Sequence, residues 1–170
     1  MKSIHPVPKP KKRKKRIRRE SSPRKLQIKR MDNKFAVLTK LRANLTCQKT
    51  GNYYPLLDSG KIQPGLECSH FITRKRFNTR WSYENCYCIN TGSHFFFDQH
   101  KQEYEKWLIE ARGFNQDKID LLKYKSVQQF SGDLGFIEIW IDQELEKVLP
   151  NFQKLNYSFL KPIYDKIEGV

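Results

Sequence analysis

The sequence lacks any long apolar run. No stretch of the 170 residues approaches the roughly 18 apolar positions that a membrane-spanning helix needs. The first residues are also too charged for a secretion signal, which requires an apolar segment near its start. The four cysteines do not require disulfide bonds in a chain without signs of export. We therefore expect a soluble, intracellular protein whose thiols are free or bound to a metal.

Acidic residues are almost absent from the first 30 positions. Residues 1–30 contain 14 Lys and Arg but a single acid, Glu20, and supply +13 of the net charge of +15. Four prolines and the mutual repulsion of the basic side chains predict a disordered tail. Such a tail is typical of contact with a polyanion, although nuclear import or simple solubility would need the same composition. We expect the following tail residues to contact nucleic acid: Lys11, Lys12, Arg13, Lys14, Lys15 and Arg16.

The rest of the chain carries little net charge and predicts one compact α+β domain. Its apolar spacing predicts helices at residues 32–46, 95–112, 117–124 and 135–149, the first of them capped by Asp32. Two short segments rich in Cys, Tyr, Phe and Ile predict half-buried strands at residues 66–72 and 84–89. The expected fold is a strand–strand–helix core at about residues 66–112, with additional C-terminal helices over residues 115–170.

Two histidines and an asparagine accompany the predicted hairpin: His70, Asn85 and His94. Cleavage of a phosphodiester needs a base that activates water and a divalent cation that stabilises the developing charge. A neutral imidazole suits the base near pH 7, and an asparagine side chain or a backbone carbonyl can orient it. The strand–strand–helix order is expected to bring these three side chains to one cleft. A buried histidine, a turn asparagine and a helix-capping histidine are the ordinary alternatives.

Two motifs in this segment carry a family resemblance. Ser-His-Phe-Ile-x-Arg at residues 69–74 and Thr-Arg-Trp-x-x-x-Asn at residues 79–85 resemble the bacteriophage recombination endonucleases of the NinG (Rap) type. These belong to the HNH, or His-Me finger, nucleases, whose fold is a ββα-metal core. The resemblance covers roughly residues 32–115. It implies a nuclease domain over residues 31–170 that cleaves DNA with Mg²⁺, Mn²⁺ or another divalent cation, on recombination or replication intermediates such as branched DNA.

The resemblance also implies individual roles. His70 matches the general base, Asn85 the residue that orients it, and His94 a ligand of the catalytic cation. Ser69 falls where some members have an aspartate ligand. The basic residues expected to contact the DNA backbone are Arg74, Arg76 and Arg80, whereas Asp98 is expected to be a surface charge.

The structural zinc of the family is expected to be absent. In the family this zinc is bound by four cysteines in two short motifs called zinc knuckles. The corresponding positions here are Cys47, Thr50, Asn90 and Ser93, so three of the four cysteines are replaced by residues that bind zinc poorly. Packing of the aromatic helices would then stabilise the core instead. A substitute zinc site built from the four cysteines is disfavoured, since Cys86 and Cys88 are expected not to face one ion.

Two other hypotheses remain open at this point. The chain could be a non-catalytic nucleic-acid-binding protein that retains a degenerate HNH fold, or a viral protein that packages nucleic acid through its tail. Oligomeric state is also open, with a dimer compatible with symmetric substrates. The compartment would be the host cytoplasm for a viral protein and the nucleus for a eukaryotic host.

Overall fold

The computed structural model describes residues 21–152 and 154–169, and this part is a mixed α+β structure with seven helices and one two-stranded antiparallel sheet. The elements are α1 (Pro23–Arg42), β1 (Leu66–His70), α2 (Phe77–Arg80), β2 (Cys86–Asn90), α3 (Thr91–Gln99), α4 (Lys101–Arg112), α5 (Gln116–Val127), α6 (Leu134–Val148) and α7 (Lys161–Glu168). Short 3-10 turns at Leu149–Phe152 and Ser158–Leu160 connect α6 to α7. None of the helices in the described ranges has the length and apolarity needed to cross a membrane.

Helix α1 begins earlier than the composition predicts. It starts at Pro23, which suits the first helical position because proline's fixed φ is helical and its missing N–H needs no partner there. Residues 23–30, assigned above to the tail, are therefore helical, and Asp32 lies inside the helix rather than at its cap. The expected nucleic-acid contacts at Lys11, Lys12, Arg13, Lys14, Lys15 and Arg16 lie outside the described residues.

Acidic side chains of α6 explain why α1 extends into this basic segment. Arg30 Nε lies 2.6 Å from Glu138 Oε1, and Lys34 Nζ lies 2.7 Å from Asp142 Oδ1. The Lys34 side chain is buried, so its charge is compensated within the helix interface rather than by solvent. This pairing compensates Arg30 and Lys34 of α1, whereas the basic run at residues 11–19 on which the prediction of disorder rested lies outside the described residues.

The sheet is a hairpin with helices on both faces. β1 pairs antiparallel with β2, with His70 opposite Cys86 and Leu66 opposite Asn90. Helix α1 packs on one face, and helices α3 and α4 cover the other. The two predicted strands are thus present with slightly different ends, and a helix follows the second strand as expected.

The helix predicted over residues 95–112 is two helices. His100 leaves the helical conformation, with φ −124° and ψ 71°, and separates α3 from α4. Phe97 of α3 stacks on Tyr104 of α4 with ring centroids 4.3 Å apart, and Trp107 packs against both rings. This aromatic cluster lies against the α3 face of the hairpin, where Tyr104 donates a hydrogen bond to Ser69.

Candidate active site

Asn85 fixes the connecting segment, residues 71–85, which joins the two strands. Its side chain is completely buried, and its Oδ1 accepts a hydrogen bond from the Ile72 backbone N–H at 2.6 Å. Its Nδ2 donates to the carbonyl oxygens of Ile72 and Thr79, both at 2.9 Å. Among the described residues these partners do not include His70, so the expectation that Asn85 contacts His70 directly is wrong. Asn85 instead holds both ends of the connecting segment, away from any open cleft.

His70 is oriented by a backbone carbonyl of that same segment. Its Nε2 lies 3.0 Å from the Arg80 carbonyl oxygen, which can only accept. Nε2 therefore carries the hydrogen, and Nδ1 keeps a free lone pair in the neutral ring. Burial lowers the pKa of His70 to about 4, and the charge of Arg74 acts in the same direction. The imidazole is thus neutral at physiological pH, and Asn85 orients it indirectly through the chain at Thr79.

His94 lies between two carboxylates. Its Nδ1 is 2.5 Å from Glu67 Oε2 of β1, and its Nε2 is 3.5 Å from Asp98 Oδ2 one turn further along α3. Thr91 also donates to Glu67, at 3.0 Å. Burial raises the pKa of Glu67, but the hydrogen bonds from His94 and Thr91 outweigh it and hold the pKa below its ordinary value. The carboxyl group of Glu67 is accordingly ionised near neutral pH.

Sequence inspection missed Glu67 and Asp98. The signal for Asp98 was its spacing of four residues from His94, which places both on one face of a helix. Glu67 has no comparable signal, because only the packing of α3 on β1 brings it to His94. All three side chains remain partly exposed, which leaves them accessible to an ion.

His70 and His94 lie on opposite faces of the hairpin. Side chains alternate along a strand, so His70 shares its face with Cys68, and Ser69 shares the other face with Glu67. The contacts agree, because Cys68 touches Thr39 of α1 whereas Ser69 bonds to α4 and Glu67 to α3. The expectation of a single cleft holding His70, Asn85 and His94 is therefore wrong. The two histidines instead lie on opposite sides of β1, a strand that has one neighbouring strand, β2, in the described chain.

The charge of Lys40 on α1 acts to lower the pKa of Glu67, Cys68 and Cys88, so it influences residues of both strands and of both faces.

Three soft ligands come together on the α1 face. Cys68, His70 and Cys86 each offer a ligand atom, and these atoms lie within 4.8 Å of one another, so the group could hold a metal ion. A hydrogen bond from Cys86 lowers the pKa of the Cys68 thiol, whereas burial raises that of Cys86. Cys88 shares this face because residues two apart in a strand point the same way. The expectation that Cys86 and Cys88 diverge is thus wrong.

The four expected knuckle positions also lie together. The Asn90 N–H donates to Cys47 Sγ at 3.2 Å, and Asn90 Nδ2 donates to Thr50 Oγ1 at 3.4 Å. Asn90 Oδ1 in turn accepts from the Ser93 N–H at 2.8 Å, which caps α3. Hydrogen bonds thus join positions at which the family has zinc ligands. With one thiol, two hydroxyls and an amide, this donor set does not fit zinc.

The basic residues of the connecting segment fall into two groups. Arg74, Lys75 and Arg76 are exposed, and their side chains form no ion pair or hydrogen bond within the described residues. Arg80 instead binds both oxygens of Asp32, at 2.9 and 2.6 Å, and is largely buried. Arg80 therefore fixes the segment to α1 and is not free to contact DNA, contrary to expectation.

Two lysines of α1 extend the exposed basic surface. Lys25 and Lys29 are exposed and precede Asp32 by seven and three residues, a spacing that places all three on one side of the helix. Because Arg80 ties Asp32 to the carbonyl of Arg74, this side of α1 adjoins the connecting segment. We call this set the basic stripe, and it consists of Lys25, Lys29, Arg74, Lys75 and Arg76.

Comparison of the chain with models of protein families, with curated proteins and with solved structures returned no match. Function must therefore be inferred from the arrangement of the side chains around β1. That arrangement contains a fixed neutral imidazole, a histidine between carboxylates and an uncompensated basic stripe.

Proposed function

We propose that this chain is a divalent-cation-dependent DNA endonuclease with a degenerate HNH core, in which His70 activates water. The observation that carries this proposal is the carbonyl of Arg80 at His70 Nε2, held in a segment that the buried Asn85 fixes. A general base needs a fixed tautomer, and this contact leaves Nδ1 as the proton acceptor.

The chemistry assigned to His70 is a single proton transfer. Water gives a proton to Nδ1 as its oxygen forms a bond to phosphorus, and the bond from phosphorus to the leaving oxygen breaks. The Arg80 carbonyl accepts a hydrogen bond from Nε2–H throughout, which stabilises the imidazolium that forms. The low pKa of His70 weakens the base but keeps it in the neutral form that the reaction needs.

His94 and Asp98 fit the requirements of a cation site. Two ligands at about 2.1 Å from one ion lie roughly 3.0–3.5 Å apart, and His94 Nε2 is 3.5 Å from Asp98 Oδ2. Glu67 accepts from Nδ1–H, as carboxylates commonly do for a metal-bound histidine, and thereby presents Nε2 to the ion. An imidazole with carboxylate oxygens suits Mn²⁺ and tolerates Mg²⁺. When bound, the cation supplies positive charge to the scissile phosphate and the leaving oxygen.

The basic stripe and the edge of β1 define how DNA would lie. Uncompensated Lys and Arg side chains bind the backbone phosphates and position the duplex without reading its sequence. A phosphate at the edge of β1 would then have His70 on one side and His94 on the other. Branched recombination or replication intermediates as substrate follow from the family resemblance alone.

A second candidate function is nucleic-acid binding without cleavage. It is favoured by the position of His70 and His94 on opposite faces and by the burial of Ser69, where some family members carry a metal ligand. The basic stripe would bind DNA equally well in such a protein. The two candidates differ in the role of His70. In a nuclease its replacement lowers the cleavage rate, whereas in a binding protein its replacement changes only the stability of the fold.

Cleavage of supercoiled plasmid and of branched DNA in Mg²⁺ or Mn²⁺ distinguishes them. His70→Ala should lower the cleavage rate by at least about 100-fold because the general base is lost, with DNA affinity unchanged. His100→Ala is the matched control, since its ring contacts only the exposed end of α3. Equal DNA binding by wild type and His70→Ala with no cleavage by either would establish the binding protein instead.

A further inference from the structure

The α1 face of the hairpin holds a ligand set of a different chemical class from the proposed catalytic cation site. Cys68, His70 and Cys86 offer two thiols and one imidazole within 4.8 Å of one another. Thiolate and imidazole are the ligands that Zn²⁺ and other thiophilic ions prefer, whereas Mg²⁺ takes oxygen. On the opposite face, the proposed cation site consists of the imidazole of His94 and a carboxylate oxygen of Asp98, with Glu67 accepting from His94 Nδ1–H.

The strand register places these three ligands. His70 lies directly opposite Cys86 in the antiparallel pair, and Cys68 precedes His70 by two residues on the same face. Cys86 Sγ donates to the Arg80 carbonyl oxygen at 3.5 Å, the same oxygen that lies 3.0 Å from His70 Nε2. Thr39 Oγ1 lies 3.6 Å from Cys68 Sγ and can accept from or donate to a ligand in that position. The three ligands are thus held by main-chain pairing rather than by flexible loops.

An ion could reach the group and keep one open position. Cys68 and His70 are only half-buried, whereas Cys86 is buried beneath them. Zinc with three protein ligands completes its tetrahedron with water or another small ligand. Among the described residues the next thiol on this face is Cys88, and it lies outside the group of three.

We propose that Cys68, His70 and Cys86 bind one thiophilic transition-metal ion, with Zn²⁺ as the physiological candidate, and that the bound ion blocks His70. Binding replaces the thiol protons, which pass to solvent, and no oxidation is involved. An ion on either ring nitrogen stops His70 from accepting a proton from water at Nδ1: on Nδ1 it uses that lone pair, and on Nε2 it leaves the ring hydrogen on Nδ1. The inhibitory consequence rests on the proposed nuclease function, whereas the binding itself does not.

Binding is tested on the reduced, metal-free full chain with Co²⁺ as a spectroscopic probe and then with Zn²⁺. We expect one ion per chain and a thiolate-to-cobalt charge-transfer band, which Zn²⁺ displaces. Cys68→Ser and Cys86→Ser should each lose the band. Cys47→Ser is the control because Cys47 is buried as Cys86 is, but accepts a hydrogen bond from Asn90 at the far end of the hairpin.

A second measurement covers variants that fail to fold. Alkylation of wild type should modify Cys68 readily without metal, and Zn²⁺ should protect it, as seen by mass spectrometry of the digested chain. Absence of the Co²⁺ band together with unprotected Cys68 would overturn the proposal.

The inhibitory step is tested by cleavage in Mn²⁺ with and without added Zn²⁺. Zn²⁺ should suppress cleavage by wild type but leave Cys68→Ser active, because that variant keeps His70 and loses the thiophilic site. A Co²⁺ band in a chain that never cleaves would overturn the nuclease and keep the metal site. Cleavage by a chain that shows no Co²⁺ band would overturn the metal site and keep the nuclease. Equal inhibition of wild type and Cys68→Ser would show that Zn²⁺ acts elsewhere.

Discussion

The two faces of the hairpin differ in chemistry although they share the same five-residue strand. The α1 face presents Cys68 and His70 in a half-buried setting, and the α3 face presents Glu67 to a partly exposed His94. Burial on the first face lowers the pKa of His70, while ion and hydrogen-bond partners on the second keep Glu67 ionised. Strand alternation thus places the thiol of Cys68 and the imidazole of His70 on one face and the carboxylate of Glu67 on the other.

Because of this separation, β1 could present both a general base and a cation to the same phosphate. A base and a cation must approach the same phosphorus but must not bind each other. Placing His70 and His94 on opposite sides of β1 keeps the two imidazoles from binding one ion, and β1 has no second neighbouring strand in the described chain.

The largest effect is expected on the α3 face. Asp98→Ala should lower cleavage by about 100-fold or more at low Mn²⁺, because loss of a charged ligand weakens cation binding. Excess Mn²⁺ should restore part of the rate, whereas no concentration of metal should rescue His70→Ala. Glu103→Ala on the neighbouring helix α4 is the control and should cleave normally. Equal activity of Asp98→Ala and wild type at limiting metal would remove this cation site.

Asn85→Ala should destabilise the fold by about 3 kcal/mol or more, because it leaves buried backbone groups of Ile72 and Thr79 without partners. Urea unfolding followed by circular dichroism measures this difference. Asn78→Ala is a matched control, since its single side-chain hydrogen bond to Gln128 is exposed. A loss below that of Asn78→Ala would mean that Asn85 does not hold the segment between the faces.

Stability should fall with acid on the α1 face. The pKa of His70 is about 4 in the folded chain and about 6.5 when unfolded. The unfolded state therefore binds more protons between these values, so the stabilisation is complete above pH 6.5 and is lost as pH falls towards 4. The full loss amounts to about 3 kcal/mol. The charged and titratable groups around His70 are Asp32, Arg74, Arg80, Cys68 and Cys86.

Urea unfolding of the metal-free chain at pH 7 and pH 5 checks this dependence. His70→Gln should reduce the difference between the two pH values, and His100→Gln should not, because His100 is exposed. An identical pH dependence in wild type and His70→Gln would show that His70 is not buried in its neutral form.

The smallest effect concerns the basic stripe, which serves both faces equally. Replacing Arg74, Lys75 and Arg76 by Ala should lower the slope of log affinity against log salt by about 3, since each lost phosphate contact releases about one counterion fewer. Fluorescence anisotropy with labelled duplex DNA measures this slope. The control variant carries three exposed lysines outside the stripe changed to Ala: Lys49, Lys106 and Lys118. Equal slopes in both variants would place DNA elsewhere.

The strand–strand–helix order could be predicted because it depends on local signals. Short β-prone segments, a polar connection and an apolar helical stripe are properties of neighbouring residues. The start of α1 could not, because Arg30 and Lys34 are paired with Glu138 and Asp142 of a helix that is distant in the sequence. The break at His100 likewise depends on how Phe97 packs against Tyr104.

The site residues divide in the same way. His70, Asn85 and His94 stand out in the sequence because imidazole and amide groups at this spacing suggest phosphodiester chemistry. The sequence does not predict how these side chains are arranged. Asn85 binds the backbone, and Arg80, which was expected to contact DNA, pairs with Asp32. Spacing identifies side chains capable of a role, but burial and partners decide which of them is free to perform it.

By itself, the sequence determined the α+β class, the positions of the two strands and the residue types available for catalysis or metal binding. Only the tertiary structure decided that His70 faces α1, that His94 meets Glu67 and Asp98, and that Cys68 and Cys86 join His70. The physical reason is that periodicity shows which residues share a face of a strand. Which helix covers that face depends on contacts between residues far apart in the chain.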